Sequence, residues 1–141
     1  MGQTVMTLNF AAVIILLALP SNEAICHTPN KTIPSTKLKG NLVTYAVWYP
    51  VPIHLGVCQK SHYPDTIKRR SNRHRLSVII GTDDKNYVVE YVCLDTGKYP
   101  RIETVVYTKK QSLKHSVIKE IVKIHSTVGL DYSKIWYCQV E

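Results

Sequence analysis

Four groups of residues in this sequence have chemistry to offer: four cysteines, six histidines, the pair Asp83-Asp84, and a basic run at 68–75. Cys26, Cys58, Cys93 and Cys138 stand 32, 35 and 45 residues apart, and no C-x-x-C pair occurs. Zinc ligands come in closely spaced pairs, so this spacing reads as two disulfides rather than a metal site. Three pairings are open, and spacing alone does not choose among them. His27, His54, His62, His74, His115 and His125 are scattered without a G-x-S-x-G or metal-helix motif, and they read as solvated surface residues. Asp83-Asp84 falls between two apolar runs, where Asp caps the backbone N–H groups of a turn, so the pair reads as structural. No catalytic set emerges, and no cofactor is implied.

Lys68, Arg69, Arg70, Arg73 and Arg75 put five positive charges within eight positions, in a chain of formal net charge +8. Such density suits a polyanion, for example a glycosaminoglycan, or an anionic membrane surface. Arg69-Arg70 and Arg73 also fit a processing site, and the run reads equally well as a solvated basic loop.

The compartment decides between several of these readings. Phe10 to Leu19 is an uninterrupted apolar run of ten residues, followed by Pro20, Ser21, Asn22, Glu23 and Ala24. Its length is about half of what a bilayer-spanning helix needs. It reads as a secretory signal peptide, residues 1–24, cut after Ala24, although Lys and Arg are missing before it. One secreted, extracellular domain, residues 25–141, keeps all four cysteines in an oxidising environment that favours disulfides. Export removes nucleic acid as a partner. Asn30-Lys31-Thr32 becomes a glycosylation sequon, with Asn30 the acceptor.

The elements that must hold these residues follow from the hydrophobic pattern. At 45% apolar and 20% charged residues, the chain is neither disordered nor collagen-like. Residues 25–37 are rich in Pro and Thr and read as an irregular leader. Asn41 to Val51 is rich in β-branched and aromatic residues and is cut by Pro50 and Pro52, which predicts a strand ending there. Ile53 to Tyr63 predicts a second strand, Leu76 to Ile80 a third, Tyr87 to Leu94 a fourth with a polar interruption at Glu90, and Arg101 to Lys109 a fifth. The last three form a meander, joined by turns at 81–86 and 95–100. The period then changes from 2 to about 3.6. Leu113, Val117, Ile118, Ile121, Val122 and Val128 share a helix face, with Ser112 placed to cap its start and Gly129 to end it. Lys134 to Val140 predicts a terminal strand carrying Cys138.

This order of elements resembles the lipocalins. Val78 to Cys93 (VIIGTDDKNYVVEYVC) is similar to the lipocalin segment around the Thr-Asp-Tyr motif, with Thr82-Asp83 in its turn and Tyr87 and Cys93 after it. Ile102 to Leu113 resembles the next strand and its run into the helix, and Val128 to Ile135 (VGLDYSKI) resembles the helix exit of the apolipoprotein D and insect bilin-binding branch. The Gly-x-Trp-Tyr motif keeps Gly40 but has Leu42 in the place of its Trp, and Lys109 stands for the family's Arg. Without a ring for a planar cation to cover, Lys109 is left to lay its aliphatic stem on Leu42. The resemblance implies the pairs Cys26–Cys93 and Cys58–Cys138. Each would close a long loop, of a size worth about 4 kcal/mol in the chain-entropy model.

The implied fold is mainly β: a lipocalin-like antiparallel β-barrel, incomplete or open, with one C-terminal amphipathic helix. An eight-stranded barrel needs more chain than residues 25–141 supply. The shortage falls between Cys58 and Thr82, where the family places about three further strands. The sheet then either curls into a half-barrel or exposes edges that invite a homodimer. The implied function is non-catalytic transport of a small hydrophobic ligand, a lipid, retinoid-like compound or tetrapyrrole. Its calyx would be drawn from Tyr45, Val47, Tyr49, Val78, Ile80, Val89, Tyr91 and Val106. The alternatives are a basic extracellular protein that binds polyanions through residues 68–75, or a shortened lipocalin without an intact cavity.

Overall fold

Alternating β-branched and aromatic residues fit a pleated surface that is buried on at least one side, and here they build one antiparallel sheet. The computed structural model describes residues 26–64, 75–96 and 99–140. The expected signal peptide, and Lys68, Arg69, Arg70 and Arg73, lie outside the described residues. The strands are β1 (Gly40–Trp48), β2 (Lys60–Tyr63), β3 (Arg75–Thr82), β4 (Tyr87–Asp95) and β5 (Pro100–Thr108). Helix α1 (His115–Thr127), a 3₁₀ turn (Tyr132–Lys134) and β6 (Ile135–Tyr137) follow. The order in the sheet is β2-β1-β5-β4-β3, with β6 also on β1. Strand β2 pairs with residues 40–43 of β1 and β6 with residues 46–48, so one flank of β1 carries two short partners. The sheet does not close, in agreement with the open form expected from the length.

The second strand is shorter than its sequence suggested. Only Lys60–Tyr63 is regular. Ahead of it, Gly56 has φ +49°, a left-handed value that interrupts an extended run, and Val57 makes a single parallel bridge to Gln139. The unpaired flank of β3 is partly covered by the leader, whose Ile33 N–H donates to the Ile79 carbonyl at 2.8 Å.

The two faces of the sheet bury different sets. On one face Tyr87, Val89, Tyr91 and Cys93 of β4 join Ala46, Trp48, Ile80, Val106 and Ile135, and α1 covers them with Ile121, Val117 and Ile124. On the other, Val88 and Tyr107 pack with Leu38, Leu42 and Tyr63, and with Ile79 and Val105 at their margin. Leu42 is therefore fully buried in this cluster, while Lys109 is exposed and its N–H donates to the Asn86 carbonyl. Cover on both sides explains why β4 is buried without a break from Tyr87 to Cys93.

Disulfides join Cys26 to Cys93 and Cys58 to Cys138. The first ties the leader to β4, and the second ties the irregular stretch before β2 to the segment after β6. Among the described residues no helix is long and apolar enough to cross a membrane.

Helix α1 starts later than Ser112 would place it. Its N-cap is Lys114, which makes no capping side-chain bond, so the packed face rather than the cap holds this end. Its other end is built as expected. Gly129 has φ +75°, its N–H donates to Ser126 O, and the Leu130 N–H donates to His125 O, the paired bonds of a Schellman motif. Below α1, a Cβ on Gly81 would lie 2.3 Å from Ile124 Cδ1, so the glycine is needed for the close approach of helix and strand. Gly81→Ala should therefore cost about 1–3 kcal/mol in a urea titration, and shortening the opposing residue (Ile124→Val) in the same chain should recover part of it.

His125 departs most from its expected place. It is fully buried between α1 and the sheet, the reverse of a solvated surface position. Its Nδ1 meets the Ile121 carbonyl at 2.8 Å and its Nε2 meets Thr104 Oγ1 at 2.7 Å. A carbonyl only accepts, so Nδ1 carries the proton and Nε2 accepts from the Thr104 hydroxyl. Burial lowers its pKa, against the smaller opposing effect of the bond to Ile121. The unfolded chain therefore takes up a proton first as the pH falls. Stability should be full above the ordinary imidazole value of about 6.5 and decline by up to about 1.4 kcal/mol per pH unit below it. Urea midpoints measured from pH 8 to pH 5 check this, and His125→Gln should flatten the profile.

Candidate functional site

The face opposite α1 holds a cavity of about 430 Å³. The leader from Thr32 to Lys39 forms one side, Tyr63 and Pro64 at the end of β2 another, and Ser77 to Ile79 of β3 a third, with Glu90 of β4 completing the lining. Ile33, Pro34, Leu38, Val78 and Ile79 make most of the wall apolar. The volume lies in the range of small-molecule sites. A second cavity of about 260 Å³ lies along β1 and β5, lined by Val47, Val105 and Tyr107 among others. The rings of Tyr63 and Tyr107, one in each lining, stand 5.5 Å apart.

One end of the larger cavity is polar and buried. Glu90 is 1% exposed; the Ser77 hydroxyl donates to its Oε1, and Arg75 Nη2 lies 3.9 Å from the same oxygen. Tyr63 is 2% exposed, and its hydroxyl has no hydrogen-bond partner among the described residues. Burial first, and the Glu90 carboxylate second, push the Tyr63 pKa up to about 12. The phenol therefore stays protonated at any physiological pH and remains a donor. Burying a hydroxyl without a partner costs on the order of 1–3 kcal/mol.

The calyx set expected from strict alternation is divided between the two faces. Tyr45, Ile80, Val89, Tyr91 and Val106 belong to the cluster under α1. Val47 lines the smaller cavity and Val78 the larger one, although Val78 also packs toward the α1 side. Tyr49 lies in neither lining; the Arg101 guanidinium sits 4.8 Å from its ring centre. Within β1 and β3 a bulge contributes to the division. The register slips between Thr44 and Ala46 in β1 and between Ile79 and Gly81 in β3, so a period-2 reading changes face within each strand.

The other singled-out residues fall apart from the cavity. Asp83 accepts from the backbone N–H groups of Lys85, Asn86 and Tyr87 in its own turn, whereas Asp84 accepts from Thr36 Oγ1 and the Lys37 N–H and so ties the turn to the leader. Burial raises the Asp83 pKa, but the bonds from Asn86, Lys85 and Tyr87 outweigh it and hold the carboxyl below its usual range. Asn30 is exposed. Arg75, the one described member of the basic run, has its side chain 10% exposed beside Glu90, which withdraws it from a surface that could hold a polyanion. Among the described residues no group of His, Cys, Asp or Glu is placed to hold a metal. Sequence reasoning noted Glu90 as an interruption and passed over Tyr63. A charged residue within an apolar strand was the available signal, since buried Glu is rare without a paired group. Tyr63→Phe removes a buried hydroxyl that has no partner among the described residues, and a thermal melt of the ligand-free protein should show stability unchanged or raised by up to about 1 kcal/mol.

No family model matches the chain, and no curated protein matches it. Solved structures do. H1 crustacyanin from the lobster Homarus americanus superposes with a TM-score of 0.52 at 14% identity, over 81% of this chain and 90% of that one. The siderocalin Ex-FABP, described as acting through dual ligand specificities, gives 0.53 at 9% identity, over 75% and 96%. Apocrustacyanin C2 gives 0.53 at 13% identity, over 82% and 94%. With its open antiparallel sheet, single C-terminal helix and these neighbours, the chain has a lipocalin-like fold.

Proposed function

We propose that this protein is a secreted, non-catalytic carrier of a small hydrophobic molecule, held in the cavity between the leader, β2 and β3. The observation that carries the reading is the cavity itself. It is about 430 Å³, walled mainly by Ile33, Pro34, Leu38, Val78 and Ile79, on the sheet face that α1 leaves uncovered. Apolar walls with a few convergent polar groups are the usual make-up of a small-ligand site. Two disulfides fit the oxidising compartment that the signal peptide implies. The resemblance of residues 128–135 to the insect bilin-binding branch is the reason to test tetrapyrroles along with lipids and retinoid-like compounds as ligands.

Titration with the neutral apolar fluorophore N-phenyl-1-naphthylamine tests the reading. Saturable binding is expected, with displacement by at least one of retinol, a long-chain alcohol or biliverdin. Ile79→Trp, which fills the cavity, should weaken probe binding about tenfold or more while the thermal transition stays cooperative. Unchanged binding in that variant would move the site elsewhere.

A further inference from the structure

We infer that the cavity selects ligands whose polar end is an uncharged hydroxyl, received jointly by Tyr63 and Glu90. This rests on the carrier reading and adds the head-group chemistry to it. Three observations support it. First, Tyr63 is almost wholly buried, lines the cavity and has an Oη without a hydrogen-bond partner among the described residues. A buried phenol in that state is poised for an acceptor that the described residues do not supply. Second, Glu90 lines the same cavity, and its ionised carboxylate only accepts hydrogen bonds. A hydroxyl is the small group that can engage both at once, accepting from Tyr63 Oη–H and donating to a carboxylate whose two oxygens take several donors.

Third, the charges at this end disfavour ionic heads. A ligand carboxylate would have to enter beside buried Glu90, and like charges in a low-dielectric pocket repel strongly. A ligand ammonium would meet a carboxylate already faced by Arg75 at 3.9 Å, in a protein of net charge +8. A neutral head avoids both penalties. The apolar walls of the leader and β3 then take the hydrocarbon part.

Matched ligands separate these cases. Decanol, decanoic acid and decylamine share one chain and differ only in the head, and each is titrated at neutral pH against bound N-phenyl-1-naphthylamine. Decanol is expected to bind about tenfold or more tightly than either ionic analogue. Tyr63→Phe should weaken decanol about fivefold or more without loss of thermal stability, and Glu90→Gln should narrow the gap between alcohol and acid. Should Glu90→Gln fail to fold, Tyr63→Phe decides alone. If all three ligands displace the probe equally, or Tyr63→Phe binds decanol as the unmodified protein does, the hydroxyl assignment is wrong while the carrier reading stands. If the probe itself never binds, both are wrong.

Discussion

An antiparallel sheet that does not close has two faces to keep from water and two flanks of unpaired backbone, and the rest of this structure answers that constraint. One face is covered by α1, which lies close enough at Gly81 that no side chain fits beneath Ile124. Among the described residues, the other face is covered by its own side chains and the leader. Ile33 bridges to Ile79 on the exposed flank of β3, and Leu38 enters the second cluster at 1% exposure. A leader of this composition has little propensity for regular structure. It is held by the Cys26–Cys93 bond at one end and by the Asp84 carboxylate, through Thr36 and Lys37, at the other. The cavity exists because the leader arches from one anchor to the other over β3.

The arrangement gives the polar residues their meaning. Glu90 belongs to a strand buried on both faces, and it projects to the side where packing is incomplete. There Ser77 donates to it and Arg75 lies 3.9 Å away, while Tyr63 lines the same cavity. A uniformly apolar lining would have filled that corner more economically. A buried phenol and carboxylate beside an apolar chamber instead cost stability, a cost that functional sites commonly carry.

Much of the fold was legible in the chain because local rules and tertiary packing agree. The strands at β1, β3, β4 and β5 carry strong alternation, and Gly129 ends α1 with the two bonds its φ permits. The inward-facing register was not legible. Alternation offered Tyr45, Ile80, Val89, Tyr91 and Val106 for a ligand chamber; all five pack in the cluster on the α1 face, and the bulges at 44–46 and 79–81 shift the phase of β1 and β3. No local propensity marks such slips, because the extra residue is an ordinary one. His125 was missed for a related reason. It looked like a polar residue on a helix, yet its ring finds a carbonyl and a threonine hydroxyl inside the protein, and satisfied polar groups can be buried.

The two disulfides have one property in common besides their pairing. Cys26–Cys93 and Cys58–Cys138 both connect the part of the chain before residue 65 to the part after residue 74. The stretch between contains Arg69-Arg70 and Arg73, the residues a trypsin-like protease would choose. Cleavage there would yield two polypeptides that remain one covalent molecule, separable only under reducing conditions, with each half still supplying strands to the shared sheet.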